Sequence, residues 1–412
     1  MPEKLKVLIS CYACSPYKGS EPGMGWNFVQ GLSKFHELHV IVEQLKWEKP
    51  IKNYIKDNPQ ITNNITFHFI EKKRNKLLRK IWPPSYYWYY RKWQKKVYNL
   101  ALKLDKKENF DIIHQLNMVG YREPGYLWKI KSPFVWGPIG GLENSPWNFL
   151  PHIGLKGLIF YSARNLVNLL QRNLLIRPKK AVSRANSILI SATPNVAFLA
   201  KQLWKKDSDI ICEVGQEKIK LNKINHRSQN EPLKIIWCGV HEPRKNLKLL
   251  LEALSKVTIN FELHILGDGE MKNKWKKSSE SLGIAHNCYW HGWVDKEEVK
   301  KIYQIGHVFC ITSISDLTST VTLEALSYAL PVICLDHCGF SHVINDSCGV
   351  KISVKNYNDA VNDFANIINT LYKQEDYRIK LSKGAILRSE DFSWDKKIKK
   401  INYIYSSLLK EN

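Results

Sequence analysis

The stretch ITSISDLTSTVTLEALSYALPVICLD, residues 311–336, carries the clearest structural signal in the chain. An apolar run, a hydroxyl-rich loop, a helical pattern and a second apolar run follow one another, as in a strand–helix–strand unit of a parallel sheet. Asp316 and Glu324 flank that loop, and the helix begins near Thr320. Free N–H groups at a helix start can hold a diphosphate, and carboxylates accept hydrogen bonds from sugar or ribose hydroxyls. The stretch therefore predicts a binding site at the end of a strand.

The same alternation of strand-like and helix-like segments extends outward over most of the chain, which predicts parallel sheets covered by helices. In the first half the predicted strands are LKVLIS (5–10), ELHVIV (37–42), ITFHFI (65–70), FDIIHQ (110–115), FVWG (134–137), SILIS (187–191) and DIICEV (209–214). In the second half they are LKIIWCG (233–239), FELHILG (261–267), CYWHGW (288–293), HVFCIT (307–312), PVICLD (331–336) and GVKIS (349–353).

The chain of 412 residues is too long for one hydrophobic core, since single cores usually stop growing at roughly 250–300 residues. The polar stretch LNKINHRSQNEPL, residues 221–233, predicts a linker. We therefore expect two Rossmann-like α/β domains, 1–226 and 227–390. Residues 391–412 predict a helix that is a candidate to cross back to the first domain, with an apolar face of Ile398, Ile401, Ile404, Leu408 and Leu409.

The charge balance predicts an anionic partner. Lys and Arg outnumber Asp and Glu by 62 to 38, a formal net charge of +24. Nucleic acid, acidic lipid and anionic small substrates all fit that sign. No recognisable nucleic-acid module accompanies the charge, so an anionic substrate or a membrane surface is favoured over nucleic acid. Solubility alone is a simpler explanation that is compatible with either.

The nine cysteines and the apolar runs favour a cytoplasmic location. Several cysteines lie in predicted buried strands, as reduced core thiols do. The first apolar run is short and precedes a glycine-rich turn, so it resembles a buried strand more than a signal peptide. No run approaches the ~18–20 apolar residues that span a bilayer, so any membrane attachment is expected to be peripheral.

Two possible metal sites are disfavoured. Cys11 and Cys14 have the spacing of a metal or redox pair, but no second pair has matching spacing. Asp207 and Asp209 have the spacing of a carboxylate pair that holds a divalent cation, yet they follow two lysines and precede a strand, as an exposed turn does. We predict that no metal is required.

Glycines follow two predicted strands of the first half. Gly19, Gly23 and Gly25 precede a helical pattern, where backbone N–H groups can approach a phosphate or a sugar. A dinucleotide fingerprint would need another glycine where Phe28 stands, which disfavours NAD or FAD. The turn at 137–141 is also rich in glycine. Ligands of open α/β sheets lie beyond the carboxyl ends of strands, but both segments can equally be simple tight turns.

His114 ends a predicted strand at the same edge of the first sheet. An imidazole there can donate to a sugar hydroxyl or act as an acid or base. The alternative is a structural histidine.

A basic loop opens the second half, where Arg244 and Lys245 stand between a strand and a helix. Two cations there suit a diphosphate, because phosphoryl oxygens accept strong charge-assisted hydrogen bonds. Cations also oppose the dipole at a helix start, so a solvated helix start is the weaker alternative.

Residues 79–107 interleave aromatic residues with Lys and Arg. Such a segment can rest on an anionic lipid surface, with its rings at the level of the headgroups. The alternative is an amphipathic helix whose rings pack on the domain.

In combination, these motifs resemble the retaining glycosyltransferases of family four, which include the group 1 transferases and have the GT-B fold. The resemblance rests on the acids Asp316 and Glu324, the helix and strand LEALSYALPVI after them, the glycine loop at Gly23 and Gly25, the basic loop, the ILGDGE turn and the HGWV strand end. It covers nearly the whole chain. It implies two Rossmann-like domains whose parallel sheets face each other across a cleft.

The resemblance also implies roles for single residues. Lys245 would neutralise a donor diphosphate with Arg244 beside it, and Asp316 would face the transferred sugar. Glu324 would hold the ribose, and backbone groups near Val294 would frame the base. The glycine turns would contact the donor at Gly23, Gly25 and Gly267. The main-chain N–H groups of Ser319, Thr320 and Val321 would bind its phosphates. The predicted catalytic residues are His114, Lys245 and Asp316.

Three positions depart from the family pattern. The family usually has Glu where Asp316 stands, which alters the contact with the donor sugar. It usually has Arg where Val240 stands, which leaves Arg244 as the substitute. A histidine common in relatives is Leu116 here, which puts a catalytic role of His114 in doubt.

The sequence thus predicts a retaining transferase that moves a sugar from a nucleotide-sugar donor to a saccharide or lipid-linked acceptor in bacterial surface polysaccharide synthesis. It would work in the cytoplasm or on the inner face of the plasma membrane, with no cofactor. A sugar-nucleotide epimerase or phosphorylase of the same fold is one alternative. A non-catalytic scaffold of a polysaccharide-assembly complex is another.

Overall fold

The computed structural model describes residues 4–82, 84–184, 186–217 and 224–410. They form two compact units. The first comprises Met1–Glu143, Leu170–Gly215 and Trp394–Asn412, and the second comprises Asn144–Leu169 and Gln216–Ser393. Residues 221–223 of the predicted linker lie outside the described residues.

The first unit contains a seven-stranded parallel sheet. Its strands are β1 (Lys6–Cys11), β2 (Glu37–Glu43), β3 (Ile65–Ile70), β4 (Ile112–Asn117), β5 (Phe134–Ile139), β6 (Ser187–Ser191) and β7 (Ser208–Ile210). They lie in the order β3-β2-β1-β4-β5-β6-β7, and each pair is parallel. The helices between β1 and β7 along the chain are α1 (Ser20–Leu32), α2 (Gln44–Asp57), α3 (Lys76–Ile81), α4 (Ser85–Glu108), α5 (Leu155–Leu174), α6 (Ile176–Val182) and α7 (Pro194–Trp204), and most of α5 belongs to the second unit.

The second unit contains a six-stranded parallel sheet. Its strands are β8 (Leu233–Cys238), β9 (Phe261–Leu266), β10 (Cys288–Gly292), β11 (Val308–Ile311), β12 (Val332–Leu335) and β13 (Gly349–Ile352), in the order β10-β9-β8-β11-β12-β13. The helices from here to the end of the chain are α8 (Leu247–Leu254), α9 (Lys272–Ser281), α10 (Lys296–Ile305), α11 (Thr320–Ser327), α12 (Phe340–Val343), α13 (Tyr357–Lys373), α14 (Glu375–Asp391) and α15 (Trp394–Lys410).

Both sheets have the doubly wound topology in which the strand order reverses beside the first strand, so the predicted α/β class with two Rossmann-like domains is confirmed. The central strands read as continuous apolar runs because helices cover both faces of each sheet. The predicted strand 209–214 is shorter than expected. The structure has only β7, Ser208–Ile210, which pairs with β6 alone at the edge of the sheet.

The C-terminal helix α15 packs into the core of the first unit. Its buried apolar face consists of Ile398, Ile401, Ile404, Tyr405 and Leu408. Ile398 approaches α1 at Gly31, where a Cβ atom would collide with it. Leu409, predicted as part of the same face, is partly exposed, and Tyr405 is buried instead.

Residues 144–169 group with the second unit, although the sequence placed them in the domain 1–226. The reason is a set of contacts with the segment around Tyr357. His152 stacks on the Tyr357 ring with centroids 3.6 Å apart, and Phe149 meets the same ring edge-on. Asn148 donates a hydrogen bond to the carbonyl of Lys355.

The aromatic and basic segment 79–107 forms the end of α3 and most of α4. One side packs on the domain and buries Tyr90 and Trp93, as expected for an amphipathic helix whose rings pack on the domain. Ile81 and Trp82 remain exposed. Among the residues that the structure describes, no helix combines the length and the apolar character needed to cross a membrane.

Candidate functional site

The basic loop of the second unit lies directly after β8. Pro243–Lys245 form one 3-10 turn, and Asn246 adopts a left-handed conformation with φ of 46° before α8 begins. The Lys245 side chain is only 9% exposed. Its backbone is tied to the chain after β11, because Thr312 Oγ1 donates to the Lys245 carbonyl at 2.8 Å and Ile314 N donates to the Arg244 carbonyl at 2.9 Å. The loops after β8 and β11 are therefore held together.

Arg244, Lys245 and Asp316 meet where these two loops touch. Lys245 Nζ donates to Asp316 Oδ2, and Arg244 Nη1 lies 3.5 Å from Asp316 Oδ1. Arg244 also donates from Nη1 to the Ser315 carbonyl at 2.9 Å and from Nε to Glu242 Oε2 at 2.9 Å. β8 and β11 are the strands at which the strand order reverses, the position where open α/β sheets bind ligands.

The N-terminus of α11 follows Asp316 by a short loop. Ser319 at the N-cap makes no side-chain hydrogen bond to the helix, and the first turn contains no acidic residue. The first N–H groups of a helix have no partner within it and carry partial positive charge. The loop before the helix is closely packed, since Gly339 N donates to the Leu317 carbonyl at 2.6 Å. An uncapped helix start and two cations thus belong to the same pair of loops.

Glu324 lies one turn into α11 and is half-buried. Burial raises the pKa of its carboxyl group, and the charge of Lys296 opposes that shift. Burial also raises the pKa of Cys238, at the end of β8, to about 12; Glu324 raises that pKa further and Lys245 lowers it. The charges of Glu324 and Lys245 both act on the Cys238 thiol, so both predicted donor-binding residues lie near the end of β8.

The turns after β9 and β10 flank the basic loop. Gly267 has φ of 110°, and a Cβ atom there would overlap the carbonyl oxygen of Gly239. Gly267 N donates to the Gly292 carbonyl at 2.8 Å, which ties the end of β9 to the end of β10. Val294 is half-buried in the turn that leads into α10. Gly267 is thus required for the close approach of neighbouring loops.

Two further residues at this site come from α5. Arg164 Nη1 donates to Ser315 Oγ at 2.7 Å. Burial raises the pKa of the Tyr161 hydroxyl, and the charge of Arg244 opposes this shift. Nothing in the helical pattern of α5 distinguishes these residues, because Ser315 lies 151 positions from Arg164 and Arg244 lies 83 positions from Tyr161.

His241 was also missed, although it stands in the basic loop itself. Its ring is buried beside those of Trp237, Trp275 and Trp290. Neither ring nitrogen has a hydrogen-bond partner within the described residues. Burial lowers the pKa of His241 to about 4, so the ring is neutral. Its position in the sequence, close to Arg244 and Lys245, could have identified it as a residue of this site.

The predicted glycines of the first unit lie inside a helix instead of a loop. α1 begins at Ser20, so Gly23 and Gly25 fall in its first two turns, and both are buried. A Cβ atom at Gly25 would overlap the Ala13 carbonyl oxygen and lie 2.6 Å from Cys11 Sγ. Close packing of α1 against the segment after β1 accounts for them, which favours the structural alternative.

His114 is fully buried in β4, and both of its ring nitrogens have partners. Nε2 lies 2.8 Å from the Gly137 carbonyl and therefore donates to it, and Nδ1 lies 2.6 Å from the Tyr405 hydroxyl and accepts from it. Burial lowers the pKa of His114 to about 4. These surroundings favour the structural alternative over the predicted catalytic role, because no ring nitrogen is left for a substrate.

One group of possible metal ligands lies in the described part of the first unit. Glu37, His39 and Glu108 bring three ligand atoms within 4.8 Å of one another. Lys6 and Lys107 lie 3.3 and 3.1 Å from the Glu108 carboxylate, so its charge is already compensated. Asp207 is exposed and pairs with Lys201 at 2.8 Å, as an ordinary surface turn does.

The fold is that of the GT-B enzymes. Sucrose-phosphate synthase from Thermosynechococcus elongatus superimposes with a TM-score of 0.67 at 14% identity, covering 99% of this chain and 100% of that one. The Anabaena protein HepE, solved in complex with UDP-glucose, gives a TM-score of 0.62 at 14% identity over 98% and 100% of the two chains.

Residues 218–388 match the family model described as glycosyl transferases group 1. The chain is 28% identical over 192 residues to the lipopolysaccharide 1,6-galactosyltransferase of Salmonella typhimurium, a match that covers 44% of this chain and 51% of the relative. It is 26% identical to the Arabidopsis thaliana sulfoquinovosyl transferase SQD2, over 50% of this chain and 40% of that protein. The chain spans about half the length of the curated relatives it matches.

Proposed function

We propose that this protein is a retaining glycosyltransferase that moves a sugar from a nucleotide-sugar donor to a saccharide or lipid-linked saccharide acceptor in bacterial surface polysaccharide synthesis. One observation carries the proposal. Arg244, Lys245 and Asp316 meet beside the uncapped start of α11, where the strand order of the second sheet reverses, within the residues that match the group 1 glycosyltransferase model. The names of the Salmonella and Arabidopsis relatives support transfer of a sugar.

In this proposal the site stabilises the diphosphate leaving group. Lys245 and Arg244 neutralise negative charge as it develops on the phosphoryl oxygens, and the N–H groups of Ser319, Thr320 and Val321 donate to them. Preorganised donors of this kind are worth about 10²–10³-fold in rate each. The UDP-glucose complex of HepE supports a uridine nucleotide sugar as the first donor to test.

The two carboxylates would orient the donor. Asp316 accepts from hydroxyls of the transferred sugar, and Glu324 accepts from the two ribose hydroxyls. No nucleophile is assigned, so retention would follow from a same-face route in which the leaving phosphate takes the proton of the acceptor hydroxyl. Val294 and Gly267 would frame the base and the phosphates with main-chain groups.

The decisive experiment compares Lys245→Ala and Glu324→Ala with Lys248→Ala in a transfer assay with UDP-, GDP- and ADP-sugars. Lys248 is a matched control, because its side chain on α8 is half-exposed and pairs with Glu252 at 3.2 Å, away from Asp316. We expect both site variants to fold normally and to lose transfer by at least about 100-fold, while Lys248→Ala keeps it. Normal turnover in either folded site variant would contradict the proposal.

The same panel separates the alternatives. An epimerase would convert the donor without any acceptor, and a scaffold would bind no sugar nucleotide in a calorimetric titration. NMR of the product reports the anomeric configuration, and inversion would exclude the retaining route.

We also propose that the reaction needs no metal, because two cationic side chains already serve the diphosphate. Transfer should be unchanged in excess EDTA. Loss of transfer that Mg²⁺ or Mn²⁺ restores would overturn this part of the proposal.

We also propose that the protein works in the cytoplasm, in peripheral contact with an anionic membrane surface. Seven of the nine cysteines are buried, as reduced core thiols are, which supports a reducing compartment. Ile81, Trp82 and Trp88 expose apolar surface beside basic side chains. Flotation with phosphatidylglycerol vesicles should fall in Trp82→Ala, and flotation equal to that of wild type would contradict the contact.

A further inference from the structure

The first unit contains a small cavity of about 220 Å³. It is lined by Tyr12, which follows β1, by Lys46 in the first turn of α2, by residues 72–76 after β3, by Arg79 in α3, and by the first residues of α4. Three of these segments leave the carboxyl ends of neighbouring strands, the edge at which α/β sheets bind ligands. None of the predicted site residues contributes to the lining.

Positive charge dominates this cavity. Six cationic side chains line it and no acidic one does: Lys46, Lys72, Lys73, Arg74, Lys76 and Arg79. Arg74 pairs with the buried carboxylate of Glu43 at 2.8 Å. The other five make no salt bridge with any residue in the described ranges of the chain. Their mutual repulsion favours an anionic ligand.

Lys72 is the most informative of the six, because it is only 2% exposed. Its Nζ donates to the Tyr12 hydroxyl at 3.1 Å and lies 3.5 Å from the centroid of the Tyr86 ring. Burial, and then the charge of Arg74, lower the pKa of Lys72 to about 7. Lysine is almost never fully buried without an acidic partner. A bound anion would supply that partner.

The start of α4 adds neutral donors to the cavity. Ser85 is buried, and its hydroxyl has no hydrogen-bond partner among the described residues. The 24-residue helix has no acidic residue in its first turn and no side-chain cap. Tyr86 and Tyr89 line the same wall. A ligand with several acceptor oxygens can therefore receive hydrogen bonds as well as charge.

We propose that this cavity binds a phosphoryl group, a phosphate or diphosphate ester carried by the acceptor substrate. The assignment to an acceptor rests on the proposed glycosyl transfer; the anion site itself does not. At about 220 Å³ the cavity is smaller than the ~300–1,000 Å³ of pockets that hold a whole drug-sized ligand, so it fits a charged group rather than an oligosaccharide. A phosphate ester offers three acceptor oxygens, and a diphosphate offers more, to several cations at once, whereas a carboxylate offers only two.

The test titrates the chain of 412 residues, saturated with UDP, with inorganic pyrophosphate in a calorimeter. We expect one further equivalent to bind, with affinity at least tenfold weaker in Lys72→Met and in Arg79→Gln. Lys80→Gln is the matched control, because Lys80 is exposed on the same helix as Arg79 and lies outside the lining. Unchanged affinity in a folded Arg79→Gln protein, or an equal loss in Lys80→Gln, would overturn the site.

Lys245→Ala separates this inference from the proposed function. That variant should lose UDP binding and keep the pyrophosphate equivalent. If pyrophosphate binding disappears with Lys245→Ala and survives Lys72→Met, the second site does not exist, whatever the fate of the transfer assay.

Three further ligands identify the source of the phosphoryl group. A sugar 1-phosphate should compete with pyrophosphate, whereas glucuronate, which offers a carboxylate, should not. Vesicles containing phosphatidic acid should bind Lys72→Met as well as wild type, because the cavity would take the acceptor and not a membrane headgroup. Competition by glucuronate alone, or vesicle binding that depends on Lys72, would overturn the assignment to an acceptor phosphate.

Discussion

The carboxylate of Asp316 already occupies the cations that a diphosphate would need. It accepts from Lys245 and lies 3.5 Å from Arg244, so a bound donor has to displace it or share these cations with it. The substitution Asp316→Asn keeps the size of the side chain and removes the competing charge. We therefore expect UDP to bind at least as tightly as in wild type, while transfer falls by roughly 100-fold.

Calorimetry with UDP and the transfer assay measure these two effects separately. Asp359→Asn, an exposed aspartate at the start of α13, should change neither. A loss of UDP affinity in Asp316→Asn would show that the carboxylate organises the cations instead of competing for the ligand.

His114 contributes to the stability of the first unit through two buried hydrogen bonds. Removing its hydrogen bonds to Tyr405 and to the Gly137 carbonyl leaves buried polar groups without partners, which costs about 1–3 kcal/mol. His114→Asn should therefore lower the free energy of unfolding in urea, and Tyr405→Phe should do so by a smaller amount. The folded His114→Asn protein should retain transfer, and a fully stable but inactive variant would restore the catalytic role.

At the level of single residues, the sequence predicted which charged side chains follow the ends of strands, but not which distant groups the polar side chains bond to. Arg244, Lys245 and Asp316 stand in loops after strands, and strand ends can be read from apolar runs. The partner of His114 is Tyr405, 291 positions away, and Arg164 is 151 positions from Ser315. No local pattern encodes such distant pairings.

The C-terminal helix α15 shows how one element stabilises a remote part of the chain. Ile401 is fully buried in the core of the first unit, whereas Tyr403, two residues on, is 74% exposed. Ile401→Ala should lower the free energy of unfolding of that unit by about 2–5 kcal/mol, and Tyr403→Ala should change it by less than about 0.5 kcal/mol. Urea unfolding followed by tryptophan fluorescence measures both, and equal effects would contradict this packing.

Among the elements, strands were easier to predict than the ends of helices. Apolar runs of four to seven residues between turns identify buried parallel strands, because helices cover both of their faces. α1 begins earlier than expected, since glycine disfavours helices and Gly23 and Gly25 suggested a turn. Close packing of α1 against Cys11 outweighs that propensity.

Buried histidines link the stability of the whole molecule to pH. Burial lowers the pKa of His114, His241 and His307 to about 4, against about 6.5 in an unfolded chain. Between pH 6.5 and 4 the unfolded state binds more protons, so the stability present above pH 6.5 is lost as the pH falls. Each histidine contributes at most about 3 kcal/mol to this loss.

The substitution His241→Phe isolates one of these histidines. The ring packs among tryptophans and makes no hydrogen bond within the described residues, so phenylalanine fits the same surroundings. Urea unfolding should give His241→Phe an advantage over wild type that grows as the pH falls from 7 to 4.5. Glu324, whose raised pKa acts in the opposite direction, is present in both proteins and cancels in the comparison. A constant difference across that pH range would contradict the linkage.

For the whole chain, the sequence predicted two Rossmann-like folds but not how segments are shared between them. Residues 144–169 join the second unit through ring contacts with Tyr357, about 200 positions away. Composition and periodicity report on residues that are close along the chain. They therefore cannot predict that residues 144–169 pack against a segment about 200 positions away.

The burial of α15 in the first unit has a consequence for the nascent chain on the ribosome. The apolar surface that receives Ile398 and Ile401 is translated early, but the helix that covers it is translated only after residues 216–393. At ~5–20 residues per second this interval lasts about 10–40 s. During that time the emerging polypeptide exposes an unfilled apolar groove, which makes it a substrate for chaperones until α15 leaves the exit tunnel.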